Sequence, residues 1–305
     1  MTGEEEPTLW YAALGHLIDE VVFIHREDRS IAFVSPSVAD VLGYTPDEFT
    51  ALRTYELIHP DDLPEAARTA EDVRSGPGRS YRSVLRIRHR DGSWVWAEVV
   101  GRNLIDDPAV QGVVQTLRDI SDRRALEEQL AHQARHDGLT GLANRNHFLD
   151  QLDAALAGTA DPQLAVLYLD LDGFKAINDG RGHRTGDEVL REVARRMAGA
   201  TRHDEGERPR DVVGRLGGDE FAAFFGGVAS DEDAAGVGQR VLEAVSGELV
   251  LDGVAIDVRA SVGVARPQPG EDADGVLARA DAALYEAKRA GRAQVAVAGD
   301  EVEHP

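Results

Sequence analysis

The chain of 305 residues contains no cysteine and only 2 methionines and 3 tryptophans. Without cysteine there are no disulfides, no thiolate metal sites and no cysteine nucleophile, so zinc is not expected and a reducing compartment is compatible with the composition. Long apolar runs are missing too. No stretch approaches the ~18 residues of a membrane span, and the N-terminus opens Met1-Thr2-Gly3-Glu4-Glu5-Glu6, acidic where a secretory signal is basic. A cytoplasmic chain with no membrane span is expected. Positive charge is scarce as well: 33 Lys and Arg stand against 55 Asp and Glu, a net charge of -22. Such a surface repels nucleic acid and anionic membranes. An anionic substrate must then be held by a local group of cations or by a metal ion.

What is present suits two domains of ~100 to 200 residues each, with an expected fold class of α/β (α+β). In the first ~120 residues short strand patterns alternate with turns: Val21 to His25, a polar turn at Glu27 to Ser30, and Ile31 to Val34. Val84 to His89 and Ser93 to Val99 flank Asp91-Gly92, a two-residue hairpin signal. Between these pairs, Ser35 to Ala67 reads as helix and loop, giving an antiparallel sheet with helices on one face. From Ile120 to Arg135 the chain turns charged and helical, with Leu126 and Leu130 four apart. This connecting helix reads equally as a solvated linker or as half of a parallel coiled coil.

Beyond residue 135 longer helices alternate with strands. Asn144 to Leu156 suits a helix and Leu164 to Leu169 a central strand. A further helix is expected from near Thr185, where Thr185 and Glu188 have capping-box spacing, with Val189, Leu190, Val193, Ala194 and Met197 as its apolar stripe. Two segments, Tyr168 to Leu190 and Arg215 to Phe225, place carboxylates at the tips of apolar strands. Gly217-Gly218 suits a tight turn that fixes Asp219. If the strands are neighbours, Asp170 and Asp219 converge on one hard cation, and magnesium suits two carboxylates with the remaining positions left to water and phosphate. Taken singly, Asp170, Asp172 and Asp219 read more readily as strand-end or turn residues. With Lys175 nearby they form a candidate site for metal-assisted phosphoryl transfer.

The segments "LGYTPDEF", "IHPDD", "RHRDGSWVW" and "RDISDRR", over about residues 9 to 122, resemble a PAS domain. Its ligand is unknown; lack of cysteine excludes a flavin-cysteinyl adduct, and His59 in His-Pro-Asp-Asp reads as a loop residue rather than a haem ligand. The segment Gly217-Gly218-Asp219-Glu220-Phe221, the pattern from Asp170 to Asp187, "DGLTGLANR" from Asp137 and "ADAALYEAKRAGR" from Ala280 together resemble the GGDEF-family diguanylate cyclases. The expected organisation is a PAS-like sensory domain over 1-119, a signalling helix over 120-135 and a catalytic domain over 136-300. Only a few residues follow the last motif, so no phosphodiesterase domain is expected behind it.

The resemblance implies condensation of two GTP into cyclic di-GMP across a homodimer, with Mg2+ or Mn2+. It implies metal binding by Asp170, the Leu171 carbonyl and Asp219. Asn178 and Asp187 match the positions that read guanine, whose N1 and N2 donors an ionised carboxylate can accept together. Gly173, Phe174, Lys175, Lys288 and Arg292 match the phosphate-binding groups. Lys175, Asp219 and Glu220 are the candidate catalytic residues, Glu220 for a second metal or for activation of the 3′-hydroxyl. Arg208 and Asp211, with five residues between Asp211 and Gly217, match the family's product-inhibition site. Ala293 departs from the family, which often has asparagine there. Intact glycines and carboxylates in the motifs argue against the alternative, a non-catalytic GTP or cyclic di-GMP receptor or scaffold.

Overall fold

The structure, a computed structural model, describes residues 20–157, 163–201, 211–251 and 253–299. The chain separates into two units, Met1–Gln129 and Leu130–Pro305. The first contains β1 (Val21–His25), β2 (Ile31–Val34), α1 (Val38–Leu42), α2 (Pro46–Ala51), α3 (Leu63–Arg74), β3 (Ser80–Arg88), β4 (Trp94–Leu104) and β5 (Gly112–Asp119). Its strands form an antiparallel sheet in the order β2-β1-β5-β4-β3. Burial alternates along β3 and β4, as expected where a sheet packs on one face. Leu85, Ile87, Val95, Ala97 and Val99 turn inward against Val38, Leu42 and Phe49. Helix α2 is started by a reciprocal cap, in which Thr45 Oγ1 accepts the Glu48 N–H and the Glu48 carboxylate accepts the Thr45 N–H.

The β3–β4 connection is wider than the expected two-residue turn, since the last paired residues are Arg88 and Trp94. The Asp91 carboxylate accepts the Ser93 N–H at 2.8 Å, and the His89 N–H reaches the Ser93 carbonyl at 2.9 Å. An aspartate that bonds two residues ahead closes a small turn of its own within the loop.

Helix α4 (Ser121–Arg135) has no buried residue, and Leu126 and Leu130 are exposed. After it come β6 (Ala143–Asn144), α5 (Arg145–Leu156), β7 (Leu164–Leu171), α6 (Phe174–Arg181), α7 (His183–Gly199), β8 (Val212–Gly217), β9 (Glu220–Gly226) and α8 (Asp231–Val245). The small ribbon β10 (Gly247–Leu251) and β11 (Val254–Val258) precedes β12 (Ala260–Ala265), α9 (Ala273–Arg289) and β13 (Val295–Val297). The main sheet is mixed, in the order β13-β12-β7-β9-β8-β6. Both of its faces are covered. Leu167, Leu169, Phe221, Ala223 and Phe225 join the core that takes in the apolar stripe of α7, whereas Val166, Tyr168, Ala222 and Phe224 join the core under α5 and α9. Truncating a fully buried phenylalanine such as Phe221 or Phe225 is expected to cost about 3–5 kcal/mol.

One close approach fixes α9 on the sheet. A Cβ added at Gly263 of β12 would lie 2.0 Å from the Ala280 carbonyl oxygen and 2.2 Å from the Leu284 nitrogen, so the helix backbone rests directly on the strand. Lys288 stands one turn beyond Leu284 and is carried to the end of β7.

One expectation about a helix start changes. Helix α7 begins at His183, directly after Gly182, and Thr185 Oγ1 donates to the Arg181 carbonyl at 3.0 Å. The Thr185–Glu188 capping box is therefore not formed, because the hydroxyl is taken by the preceding turn; Glu188 pairs with Arg191 instead. Asp187 consequently lies in the second turn of its helix, not the first. Arg292 stands beyond the helix that carries Lys288, since α9 stops at Arg289 and Gly291 has φ +126°. Among the described residues no helix is long and apolar enough to cross a membrane.

Candidate active site

Strands β7 and β9 are antiparallel neighbours whose register sets Asp170 opposite Glu220. Asp219 belongs to the turn between β8 and β9. There Gly217 closes its strand opposite Glu220, and Gly218 and Asp219 make the link, a small change from the expected Gly217-Gly218 turn. Gly217 at φ +151° and Gly218 at φ +53° adopt backbone conformations that other residues avoid. The two aspartates therefore come from adjoining strand ends, as a shared cation requires. Burial, first of all, holds the Asp170 carboxyl above the usual carboxylate range, and the Asp219 and Asp172 carboxylates add to the effect against the pull of Lys288. Lys288 Nζ lies 2.8 Å from Asp170 Oδ1, so this cation, expected to serve phosphate, rests on the carboxylate expected to serve metal.

The donors fit a hard divalent ion. Half-buried Asp170, Asp219 and the carbonyl end of β7 at Leu171 supply oxygen only, and a carboxylate already kept above its ordinary range gains from a cation. Among the described residues no group of three or more His, Asp or Glu side chains gathers as a metal cluster. Two carboxylates with other positions left open is the arrangement magnesium favours.

Gly173, at φ +76°, precedes the first residue of α6, and the N–H groups of Phe174 and Lys175 open that helix, where a helix terminus favours anions. Lys175 is exposed, and among the described residues it has no ion-pair partner. On the next turn, Asn178 presents a buried side-chain oxygen without a hydrogen-bond partner. It is packed so closely against α7 that a Cβ at Gly186 would lie 2.0 Å away. An orphaned buried acceptor of this kind is costly unless a donor reaches it, and Asp187 follows Gly186 directly. Arg292 lies 3.9 Å from Asp172. Arg208 lies outside the described residues. The Asp211 carboxylate accepts the Gly226 N–H at 3.2 Å at the far end of β9.

Arg215 and Tyr168 are not singled out by the sequence motifs, and Asp172 has a role that the sequence does not show. Arg215 Nη1 lies 2.9 and 3.1 Å from the two Asp137 oxygens, and its Nε and Nη2 donate to the Gly218 carbonyl at 3.0 and 2.8 Å. It braces the turn that carries Asp219. Burial opposes ionisation of Asp137, but Thr140 and Arg215 hold its carboxyl below the usual range. Both residues stood inside quoted motifs, yet no spacing rule joins positions 78 apart. Asp172, the second acid after Asp170, is a clamp: it accepts the Ser261 hydroxyl and the Ala293 N–H, each at 3.0 Å, and ties the segment after α9 to β7 and β12. Tyr168, on the Asp170 side of the strand, has its phenol pushed up to about 12 by burial and by the Glu220 and Asp281 carboxylates.

Both units of the chain resemble known protein families. Residues 134–294 match the family described as diguanylate cyclase, GGDEF domain, and residues 31–114 match the family described as PAS fold. The first match takes in more than half of the chain, which belongs to the GGDEF-domain diguanylate cyclase family. The chain is 40% identical over 167 residues to diguanylate cyclase TpbB of Pseudomonas aeruginosa, covering 53% of this chain and 37% of that one. It is 31% identical over 289 residues to the probable diguanylate cyclase DgcE of Escherichia coli, covering 92% and 25%. Among solved structures it is similar to the coiled coil and GGDEF domain of DgcB from Caulobacter crescentus in complex with c-di-GMP, with a TM-score of 0.50, 36% identity, and coverage of 59% of this chain and 93% of that one. The chain spans 33% and 27% of the length of the first two curated relatives it matches.

Proposed function

We propose that this chain is a diguanylate cyclase that condenses two GTP into cyclic di-GMP and two pyrophosphates. The observation that carries the reading is the convergence of Asp170 and Asp219 from adjoining strand ends, close enough for the Asp219 carboxylate to help hold Asp170 above its ordinary range. Asp170, Asp219 and the Leu171 carbonyl would hold Mg2+ or Mn2+, which supplies charge stabilisation at the attacking and leaving oxygens. The N-terminus of α6 and Lys175 take the triphosphate, joined by Lys288 and Arg292. Asn178 and Asp187 read guanine, whose adjacent donors meet an orphaned oxygen and an ionised carboxylate. The 3′-oxygen of one GTP forms a bond to the α-phosphorus of the other, the bond to pyrophosphate breaks, and Glu220 takes the hydroxyl proton. A second round closes the ring.

Each subunit presents one nucleotide, so catalysis falls to a homodimer, with the exposed Leu126 and Leu130 of α4 as a seam. Bringing the two reactants together contributes on the order of 7–11 kcal/mol. The PAS-like region over 1-119 regulates through the 120-135 helix by shifting the fraction of dimers whose 136-300 catalytic regions face one another. Arg208 and Asp211 provide product inhibition, and the protein works in the cytoplasm. The deciding experiment incubates purified protein with GTP and magnesium and identifies products by mass. Cyclic di-GMP from the natural chain and none from Asp219→Ala is the expected result. Nucleotide binding without product in the natural chain returns the receptor reading.

A further inference from the structure

A large space lies wholly within the N-terminal unit. It is a cavity of about 1340 Å³ between the sheet and the helices on its inner face, larger than the ~300–1,000 Å³ of ordinary small-molecule sites. Phe23, Phe49, Leu57, Leu85, Ile87 and Leu117 give it apolar walls.

A chain of hydrogen bonds crosses those walls. His25 Nδ1 lies 2.6 Å from Gln115 Oε1, His25 Nε2 lies 3.2 Å from Thr54 Oγ1, and Gln115 Nε2 donates to the Tyr81 hydroxyl oxygen. The direction of the chain follows from its members. An amide oxygen only accepts, so His25 carries its proton on Nδ1 and accepts from Thr54 on Nε2. Burial lowers the His25 pKa and keeps the ring neutral, as this arrangement needs. Tyr81 accepts from Gln115 at the last step, which leaves its own O–H as a donor with no acceptor among the described residues. Burial raises the phenol to about 12, so that proton stays in place.

Arg74 stands near Tyr81, and Arg29 stands near Arg74. Arg74 and Arg29 line the cavity and lie near enough to repel one another and to lower the pKa of Arg74, after burial, the larger cause. Neither guanidinium has an ion-pair partner among the described residues. The cavity's acids do not supply one: Asp28 is tied to the Ser30 amide and hydroxyl, and Glu71 has no ion pair. Arg53 donates to the Tyr55 hydroxyl. In a chain of net charge -22, two unpaired arginines, one of them near an unspent hydroxyl donor, call for an anion with two acceptor oxygens.

We propose that this cavity binds an organic carboxylate with an apolar body, its carboxylate held by Arg74 and the Tyr81 hydroxyl, with Arg29 adding charge at the rim and the aromatic and aliphatic walls taking the body. This goes beyond the catalytic reading and does not depend on it, since binding is measured without nucleotide.

The test is calorimetric titration of the full chain with phenylacetate, 4-phenylbutyrate and decanoate, each set against its neutral amide, with phenyl phosphate as a second anion. Expected is binding of at least one carboxylate with Kd below about 1 mM and an acid-over-amide preference of about tenfold or more. Arg74→Gln is expected to abolish that preference, and Tyr81→Phe to weaken carboxylate binding several-fold. Arg29→Gln, at an exposed position that does not endanger folding, is expected to reduce the preference in part. Circular dichroism checks that each variant is folded. Equal affinity for acid and amide, an unchanged preference in both arginine variants, or no binding by any of the carboxylates overturns the proposal. Tighter binding of phenyl phosphate than of every carboxylate overturns the choice of carboxylate, and full affinity in Tyr81→Phe removes the hydroxyl from the site.

Discussion

The two sheets of this chain handle their faces differently. In the N-terminal unit, β3 and β4 alternate buried and exposed positions, and the covered face keeps a large cavity crossed by a polar chain. In the C-terminal unit, β7, β9 and β12 are buried almost end to end, and helices rest on both sides. A sheet covered twice has few places for polar groups, and its chemistry is driven to the strand ends, where Asp170, Asp219 and Glu220 gather. A sheet covered once can hold polar groups inside, provided that they satisfy one another. The position proposed for each site therefore follows from layer architecture.

The largest effect should come from Gly263, where any side chain meets helix backbone that cannot step aside. Gly263→Val is expected to destabilise the C-terminal unit by about 3 kcal/mol or more, visible as loss of that unit's thermal transition while the N-terminal unit's transition is kept. Simultaneous loss of both would break the comparison by showing that the units fold as one.

Next in size is the brace under the signature turn. Arg215→Ala frees the Gly218 carbonyl and leaves Asp137 without its cation. A displaced catalytic group of this kind is expected to lower the rate of cyclic di-GMP formation by about 10²-fold. A KM for GTP near that of the natural chain is expected, and Arg215→Lys should recover only part of the rate, because lysine cannot span both partners at once. An equal fall in thermal stability and in rate would reduce Arg215 to a structural residue.

A smaller effect separates the units by pH. His25 is neutral and buried in the folded N-terminal unit, with a pKa lowered by burial first and by Arg74 as well, although the Gln115 hydrogen bond opposes both. The unfolded chain then binds a proton that the folded one refuses. The stability associated with the neutral ring is complete above the unfolded value near 6.5 and declines as pH falls below it, until the folded pKa is passed. The N-terminal thermal transition should therefore move down between pH 7 and 5.5 by more than in His25→Gln, which is already free of the titration. A transition equally sensitive to pH in that variant would assign the effect to carboxylates elsewhere.

The smallest change concerns the departure at Ala293. Arg292 and Ala293 have φ of +64° and +48°, in the left-handed region that costs a residue with a Cβ about 1–2 kcal/mol. Asparagine tolerates that region better, which gives the family's residue a physical reason. Ala293→Gly is expected to stabilise the C-terminal unit by about 0.5–1 kcal/mol, read from chemical denaturation, with the Asp172 contact to the backbone N–H retained.

Periodicity and composition alone determined much of this protein. The apolar runs of β7 and β9, the stripe on α7 and the carboxylates flanking Gly217-Gly218 follow from side-chain type and local backbone preference, which neighbouring residues suffice to express. Only the tertiary structure decided that Arg215 holds Asp137 and the Gly218 carbonyl together, that Asp172 is a clamp rather than part of the acidic pair, and that His25, Gln115 and Tyr81 form one chain inside a cavity. Those arrangements bring together residues up to 121 positions apart. Their energies depend on burial and distance, which exist only once the strands have paired.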